Sequence, residues 1–188
     1  MPTEDNQPSP DNEPTGGNQQ NDNLSLPSQL VLNATEGAVI INNKLILGEK
    51  LTLDLFGGKN SQIPGAINVD IIAESGIKAS ISELLTKLPR ESIDEIIASN
   101  PQAYFIAHAA PVLKPGGLIY INATKRNPFG KLPNAETLEQ LGLKVVQENA
   151  PLYPRFTNQK FARETPRFDG TLEIPLSSLK TTILEKVI

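Results

Sequence analysis

The chain predicts an α/β domain with a mainly parallel central sheet, and three features carry that expectation. Short β-prone runs alternate with helix-like stretches from residue 30 onward. Turn residues punctuate them, namely Asn42-Asn43, the Lys114-Pro115-Gly116-Gly117 run and Asp169-Gly170. Ser92 to Ser99 (SIDEIIAS) reads as a buried strand, and Leu118 to Ala123 (LIYINA) is strongly β-prone. Strands and helices in alternation give parallel sheets with crossover connections.

The elements follow in order. Residues 30–33, 38–41 and 45–47 are short β-like pieces, and Asn42-Asn43 between the last two takes the positive φ angles of a hairpin turn, so a β-hairpin is expected there. Residues 50–55 and 65–72 are the next strands. Residues 81–88 are amphipathic and predict a short helix. Residues 101–113 place Tyr104, Ile106, Ala107 and Ala110 at helical spacing, with Pro101 suited to a first turn. Residues 114–117 then turn tightly into the strand 118–123. Asn134 and Gly142 frame a short helix, and residues 143–149 are a further strand. Strands are expected on either side of Asp169-Gly170.

Residues 1–29 stand apart from this alternation. They are rich in Pro, Asn, Gln and Asp, with five acids (Glu4, Asp5, Asp11, Glu13, Asp22) and no Lys or Arg, and predict a disordered acidic tail or linker before a domain over residues 30–188. The tail lacks the basic start and apolar core of a signal peptide. No apolar run approaches the ~20 residues of a membrane span. The whole chain carries 17 basic and 21 acidic residues, so without the tail it is near neutral. Residues 114–167 hold nine basic and four acidic residues, with Tyr153, Phe156 and Phe161 interleaved. Two readings fit that stretch: contact with a polyanion such as nucleic acid, or a solvated, mildly basic face. Cysteine is absent, which excludes disulfides, thiolate metal sites and Cys nucleophiles. That suits a cytoplasmic site of action, and equally a protein that unfolds to cross an envelope. With His108 as the single histidine, multi-His metal sites are excluded and no metal is expected.

Three stretches taken together resemble class I S-adenosylmethionine-dependent methyltransferases. LDLFGGKN followed by IPGAINVD (residues 53–70) is similar to the family's first motifs, IDEIIAS to its fourth-strand motif, and APVLKPGGLIYI to its helix, turn and fifth strand. The match runs in the family's order over about half the chain. It implies a Rossmann-like methyltransferase fold with S-adenosylmethionine as cofactor. Gly57 and Gly58 then lie against the methionine half of the cofactor, where the backbone passes too close for a side chain. Asp70 accepts hydrogen bonds from the ribose hydroxyls. Phe56 stands where the family has its first glycine, and stacks on the cofactor or fills its pocket. Ala79 or Ser80 falls at the position of the family's adenine-side acid. Residues from Ser99 to Tyr104 face the methyl group and the substrate. A fainter resemblance, to C-terminal toxin domains of bacterial polymorphic toxins of the Rhs or contact-dependent inhibition type, implies delivery into target cells and a cognate immunity protein.

The candidate residues each have a plainer reading. Asn100-Pro101-Gln102-Ala103-Tyr104 resembles the N/D-P-P-Y signature of amino-group methyltransferases, in which a side-chain amide and a backbone carbonyl hold the target nitrogen and an aromatic face stacks on a planar substrate. Methyl transfer to such a nitrogen is mainly positioning. Alternatively Asn100 caps a helix that Pro101 begins. His108 is a base or a packed helix histidine. Lys125 and Arg126, after the fifth strand, meet a substrate phosphate or solvent. The rival functions are a toxin of the same fold without cofactor, cutting nucleic acid with Asp70, His108 and Lys125, and a non-enzymatic binding module.

Overall fold

The computed structural model describes residues 30–164 and 171–187. The acidic tail and the Asp169-Gly170 turn therefore lie outside the described residues. The strands within them are β1 (Val31–Leu32), β2 (Thr52–Leu55), β3 (Ile67–Asp70), β4 (Gly76–Lys78), β5 (Ile93–Ser99), β6 (Leu113–Thr124), β7 (Leu143–Pro151), β8 (Ala162–Glu164), β9 (Thr171–Glu173) and β10 (Leu179–Lys186). One eight-stranded sheet organises the chain, in the order β1-β4-β3-β2-β5-β6-β10-β7. In it β10 runs antiparallel to both β6 and β7, while the remaining pairs are parallel. A separate antiparallel pair, β8 with β9, supplies the strands expected around residues 169–170.

Helices α1 (Ala34–Ile46), α2 (Ile81–Leu85), α3 (Ile106–Val112) and α4 (Ala135–Gln140) contribute to a single apolar cluster. It takes Leu53, Leu55, Val69, Ile96, Ala98, Ile119, Ile121 and Leu184 from the sheet. The residues between these point to the other face, because strand side chains alternate. There Ile97, Tyr120, Leu179 and Ile183 pack with Ile63, Phe156, Phe161 and Ile174. Chain without α-helix, chiefly residues 152–161, thus roofs the second face.

Three expectations are corrected here. Residues 38–47 form no hairpin: Asn42 and Asn43 lie inside α1. Asn33 accepts a hydrogen bond from the Glu36 N–H at 2.8 Å, an N-cap, and Ala34 and Ile41 turn inward at the helical period. A burial stripe over about two turns outweighs the local turn preference of two asparagines. The helix expected from Pro101 begins instead at Ile106, because Asn100 spends its side chain on tertiary contacts rather than on a cap. The Lys114–Gly117 run also differs in kind. It lies within β6 as a bulge, where pairing passes from Ile93↔Leu113 to Glu95↔Leu118. β4 and β10 have no counterpart in the sequence reading.

Strand β10 ends in a buried lysine. Lys186 Nζ donates to the carbonyls of Ala110 and Leu141, both at 2.9 Å, so one cation serves the last turns of α3 and α4. Burial, followed by the nearby Arg90 charge, holds its pKa below the usual lysine value.

Candidate functional site

The carboxyl ends of β2, β3, β5 and β6 lie along one edge of the sheet, the place where open α/β sheets bind ligands. After β2 the chain runs through residues 56–66 without a helix before entering β3. Phe56 opens this loop at φ 63°. Its N–H donates to the Val69 carbonyl at 3.0 Å, and its ring meets Phe105 edge-on with centroids 5.9 Å apart. Asp70, at the end of β3, holds the loop: Oδ2 accepts from the Gly58 N–H at 2.9 Å and Oδ1 from the Ile72 N–H at 3.0 Å.

Gly57 is a glycine for a reason beneath the loop. A Cβ there would lie 2.7 Å from Asp54 Oδ2 and closer still to Asn68 Oδ1. Gly58 stands at φ +75° with no heavy atom within 4 Å of where a Cβ would be, so its outer side is open. Asn68 Nδ2 donates to the Gly58 carbonyl at 2.9 Å and to the Ser75 carbonyl at 3.2 Å, which fixes its amide with Oδ1 inward. Asp54 Oδ2 accepts from the Ser61 hydroxyl at 2.7 Å. Asp54 Oδ1 and Asn68 Oδ1 are buried without a hydrogen-bond partner among the described residues. Burial raises the Asp54 pKa to about 6, opposed by the Ser61 hydrogen bond and aided by the Asp70 charge.

At the end of β5 the Ser99 hydroxyl donates to Gln159 Oε1 at 3.2 Å and accepts from Asn122 Nδ2 at 3.1 Å. Asn122 Oδ1 in turn accepts from the Thr181 hydroxyl at 2.8 Å. Asn100 follows at φ 48°. Its Nδ2 donates to the Ala162 carbonyl at 3.3 Å, and its Oδ1 accepts from Asn127 Nδ2 at 3.2 Å. The same Asn127 nitrogen donates to the Pro101 carbonyl at 3.0 Å. Tyr104 is 74% exposed and meets Phe129 edge-on at 4.9 Å. His108 is on the exposed side of α3, so it is not a packed helix histidine.

Lys125 and Arg126, exposed just past β6, border a cavity of about 710 Å³ together with Asn100, Asn127, Glu173 and Lys180. The structure therefore makes two groups of the expected residues. Phe56, Gly57, Gly58 and Asp70 form one; Asn100, Lys125 and Arg126 form the other. Residues 152–162 run between them as a strap. Gln62 Nε2 donates to the Lys160 carbonyl at 2.9 Å and the Lys160 N–H donates to Gln62 Oε1 at 2.8 Å, so the glycine loop is tied to the strap. Gln159 and Ala162 tie the strap to Ser99 and Asn100. Underneath, Arg155 pairs with the buried Glu95 at 2.8 Å and lies 5.8 Å from the Tyr120 and Phe156 ring centroids.

Sequence reasoning misses Asp54, Asn68, Gln62, Asn122, Asn127 and Gln159. The one signal it offers for them is polarity inside β-prone runs, as in LDL and INVD. Among the described residues no three His, Cys, Asp or Glu side chains gather as a metal site, and no helix is long and apolar enough to cross a membrane.

The mainly parallel sheet, the glycine loop after β2 and the acid closing β3 make this an α/β fold of the Rossmann-like type. No family's sequence pattern matches the chain, and no curated protein is significantly similar to it. Several solved structures are similar in shape. The 16S rRNA (adenine(1408)-N(1))-methyltransferase from Catenulisporales acidiphilia is 13% identical, over 80% of this chain and 94% of its own, with a TM-score of 0.45. The aminoglycoside resistance methyltransferase NpmB1 is 11% identical, over 83% and 94%, with a TM-score of 0.49. The precorrin-6y C5,15-methyltransferase from Geobacter metallireducens is 17% identical, over 80% and 87%, with a TM-score of 0.43. These likenesses are slight, and nothing about this chain's chemistry follows from them.

Proposed function

We propose that the domain is an S-adenosylmethionine-dependent methyltransferase acting on the amino nitrogen of a planar substrate, with nucleic acid as the substrate class. The observation that carries this reading is the paired acceptors Asn100 Oδ1 and Pro101 O, which already hold one NH₂ nitrogen, that of Asn127, at 3.2 and 3.0 Å.

The residues of the first group fit the cofactor. Asp70 accepts one N–H on each oxygen, and a carboxylate has roughly four acceptor sites, so lone pairs remain for ribose hydroxyls. Gly58 leaves its outer side open for the methionine half, and Phe56 borders the same loop. Ser99 closes the side toward the substrate. The cofactor, when bound, supplies a methyl group on a sulfonium. Asn100 and Pro101 hold the two N–H bonds of the target and so aim its lone pair. Tyr104 offers a ring face to the substrate plane. Positioning of this kind is the main contribution a protein makes to such a transfer.

His108 makes no hydrogen bond to Asp70 or Lys125 among the described residues, and the nuclease reading gains no support from it. The toxin resemblance belongs to this proposal as its biological setting: a delivered effector with an immunity protein as partner, tested by growth arrest on expression.

Calorimetric titration of the chain with S-adenosylmethionine and S-adenosylhomocysteine tests the reading. Micromolar binding is expected, weakened tenfold or more, about 1.4 kcal/mol, by Asp70→Ala. Absence of binding to both ligands overturns it.

A further inference from the structure

We infer that the cavity past β6 and the Tyr104–Phe129 pair together form a binding surface for single-stranded nucleic acid, with Lys125, Arg126 and Lys180 on the phosphates and Tyr104 under a base. This inference rests on the function proposed above and assigns its substrate an extended contact surface.

Charge is the first ground. Lys125, Arg126 and Lys180 border the 710 Å³ cavity, against the single acid Glu173. A neighbouring cavity of about 400 Å³ shares Lys125 and Lys180 and adds Lys131, against Glu148. Ion pairs among the described residues engage Lys44, Lys59, Lys114, Lys144 and Arg155, and none of the four cations around these cavities. Their charge is left unpaired among the described residues, in a domain that is near neutral without the acidic tail. A local positive groove on a near-neutral domain is a site that gathers polyanions rather than a general consequence of composition.

The second ground is an exposed aromatic ring beside that groove. Tyr104 is 74% exposed although its ring meets that of Phe129 at 75° with centroids 4.9 Å apart, so most of the ring is open to solvent. The pair is joined to the groove through Asn127, whose Nδ2 reaches the Pro101 carbonyl and whose Oδ1 accepts from the Phe129 N–H at 2.9 Å. A cationic groove with a stacking platform is the recognition pattern for single strands, because a duplex keeps its base faces stacked and offers nothing for an open ring to cover.

The third ground is order. Lys125, Arg126, Asn127 and Phe129 belong to one short turn, held by the 3₁₀ geometry of Pro128–Gly130 and its Asn127 cap. A strand lying along the cations therefore brings a base to the Asn100–Pro101 acceptors, which is where an amino group would be needed.

Fluorescence anisotropy with a labelled mixed-sequence single strand of about 20 nucleotides, without cofactor, provides the test. The full chain is expected to bind the strand at least tenfold more tightly than the matching duplex. The triple variant Lys125→Gln/Arg126→Gln/Lys180→Gln should weaken binding tenfold or more. It should also flatten the slope of log K against log salt by about 2, since each phosphate that a cation neutralises on a single strand accounts for roughly 0.7. Tyr104→Ala should weaken binding about tenfold with the slope unchanged, and Tyr104→Phe should restore it. All these positions are on the surface or at its edge, and thermal midpoints verify that the variants fold. Equal affinity for duplex and single strand, or a triple variant that binds like the parent, overturns the inference. Methyl transfer to another amine acceptor without strand binding would overturn it, together with nucleic acid as the substrate class, while leaving the methyltransferase reading intact. Strand binding without cofactor affinity would overturn the methyltransferase reading and leave the binding surface standing.

Discussion

Asn127 Nδ2 stands 3.2 Å from Asn100 Oδ1 and 3.0 Å from the Pro101 carbonyl, so one side-chain amide satisfies both acceptors that the proposed function assigns to the substrate nitrogen. A substrate amino group must displace it. Each such hydrogen bond is worth about 1 kcal/mol net. Asn127→Ala is therefore expected to raise kcat/KM for methyl transfer about tenfold, whereas Asn100→Ala should lower it about a hundredfold. Initial rates over a range of acceptor concentrations give both numbers. A fall in Asn127→Ala would mean that Asn127 orients Asn100 instead of competing with the substrate.

Asp54 makes stability depend on pH in a direction opposite to most carboxylates. Its folded pKa, about 6, lies above its ordinary value of 3.8. The folded state therefore binds more proton than the unfolded state between these values, and the group's contribution is greatest below pH 4 and is lost as pH rises through 6. The loss is at most about 3 kcal/mol. Asp54→Asn should remove this component, so that the variant gains on the parent steadily from about pH 4 to about pH 6.5. Urea unfolding at a series of pH values reads the difference, and parallel curves would refute it.

Gly57→Ala should be costly although residue 57 is only half-buried. The new methyl would collide with Asn68 and Asp54, both buried and both hydrogen-bonded elsewhere. A loss of about 2–3 kcal/mol is expected. Trimming Asn68 makes room, so Gly57→Ala/Asn68→Ala should be less destabilised than the sum of the single changes. Denaturation midpoints of the four proteins complete the cycle.

Gln62→Ala removes both hydrogen bonds that tie the glycine loop to Lys160. Global stability should drop by about 1–2 kcal/mol. The Lys160 amide should lose hydrogen-exchange protection while amides of β5 keep theirs. Equal effects on both would show that the tie is not local.

The sequence reveals the parts of the fold that repeat a local pattern. β2, β3 and β5 are apolar runs bounded by turn residues, and their order alone implies parallel pairing and places Gly58 and Asp70 at a common edge, where the structure joins them directly. It misleads where local and tertiary preferences disagree. Asn42-Asn43 favours a turn in isolation, but Ala34 and Ile41 bury on one helical stripe. Asn100 resembles a cap, but its partners are Asn127 and Ala162, beyond any local window. The strap is illegible for the same reason. Gln62 and Lys160 are 98 residues apart, and neither has a composition that announces the other. Asp54 and Asn68 stand in view inside two strands, yet only the sheet register sets them under Gly57.

The place of β10 has a consequence for how the domain assembles. This strand is late in the chain but lies inside the sheet, and β7 pairs with nothing else. Until residues 179–186 insert, β6 and β7 are both open edges, each able to template pairing with another molecule. A chain made from its amino end therefore carries both edges unprotected from the completion of β7 until β10 follows, and a single late step closes both and delivers Lys186 to the ends of α3 and α4. Loss of that one strand would not trim the sheet by an eighth; it would split it.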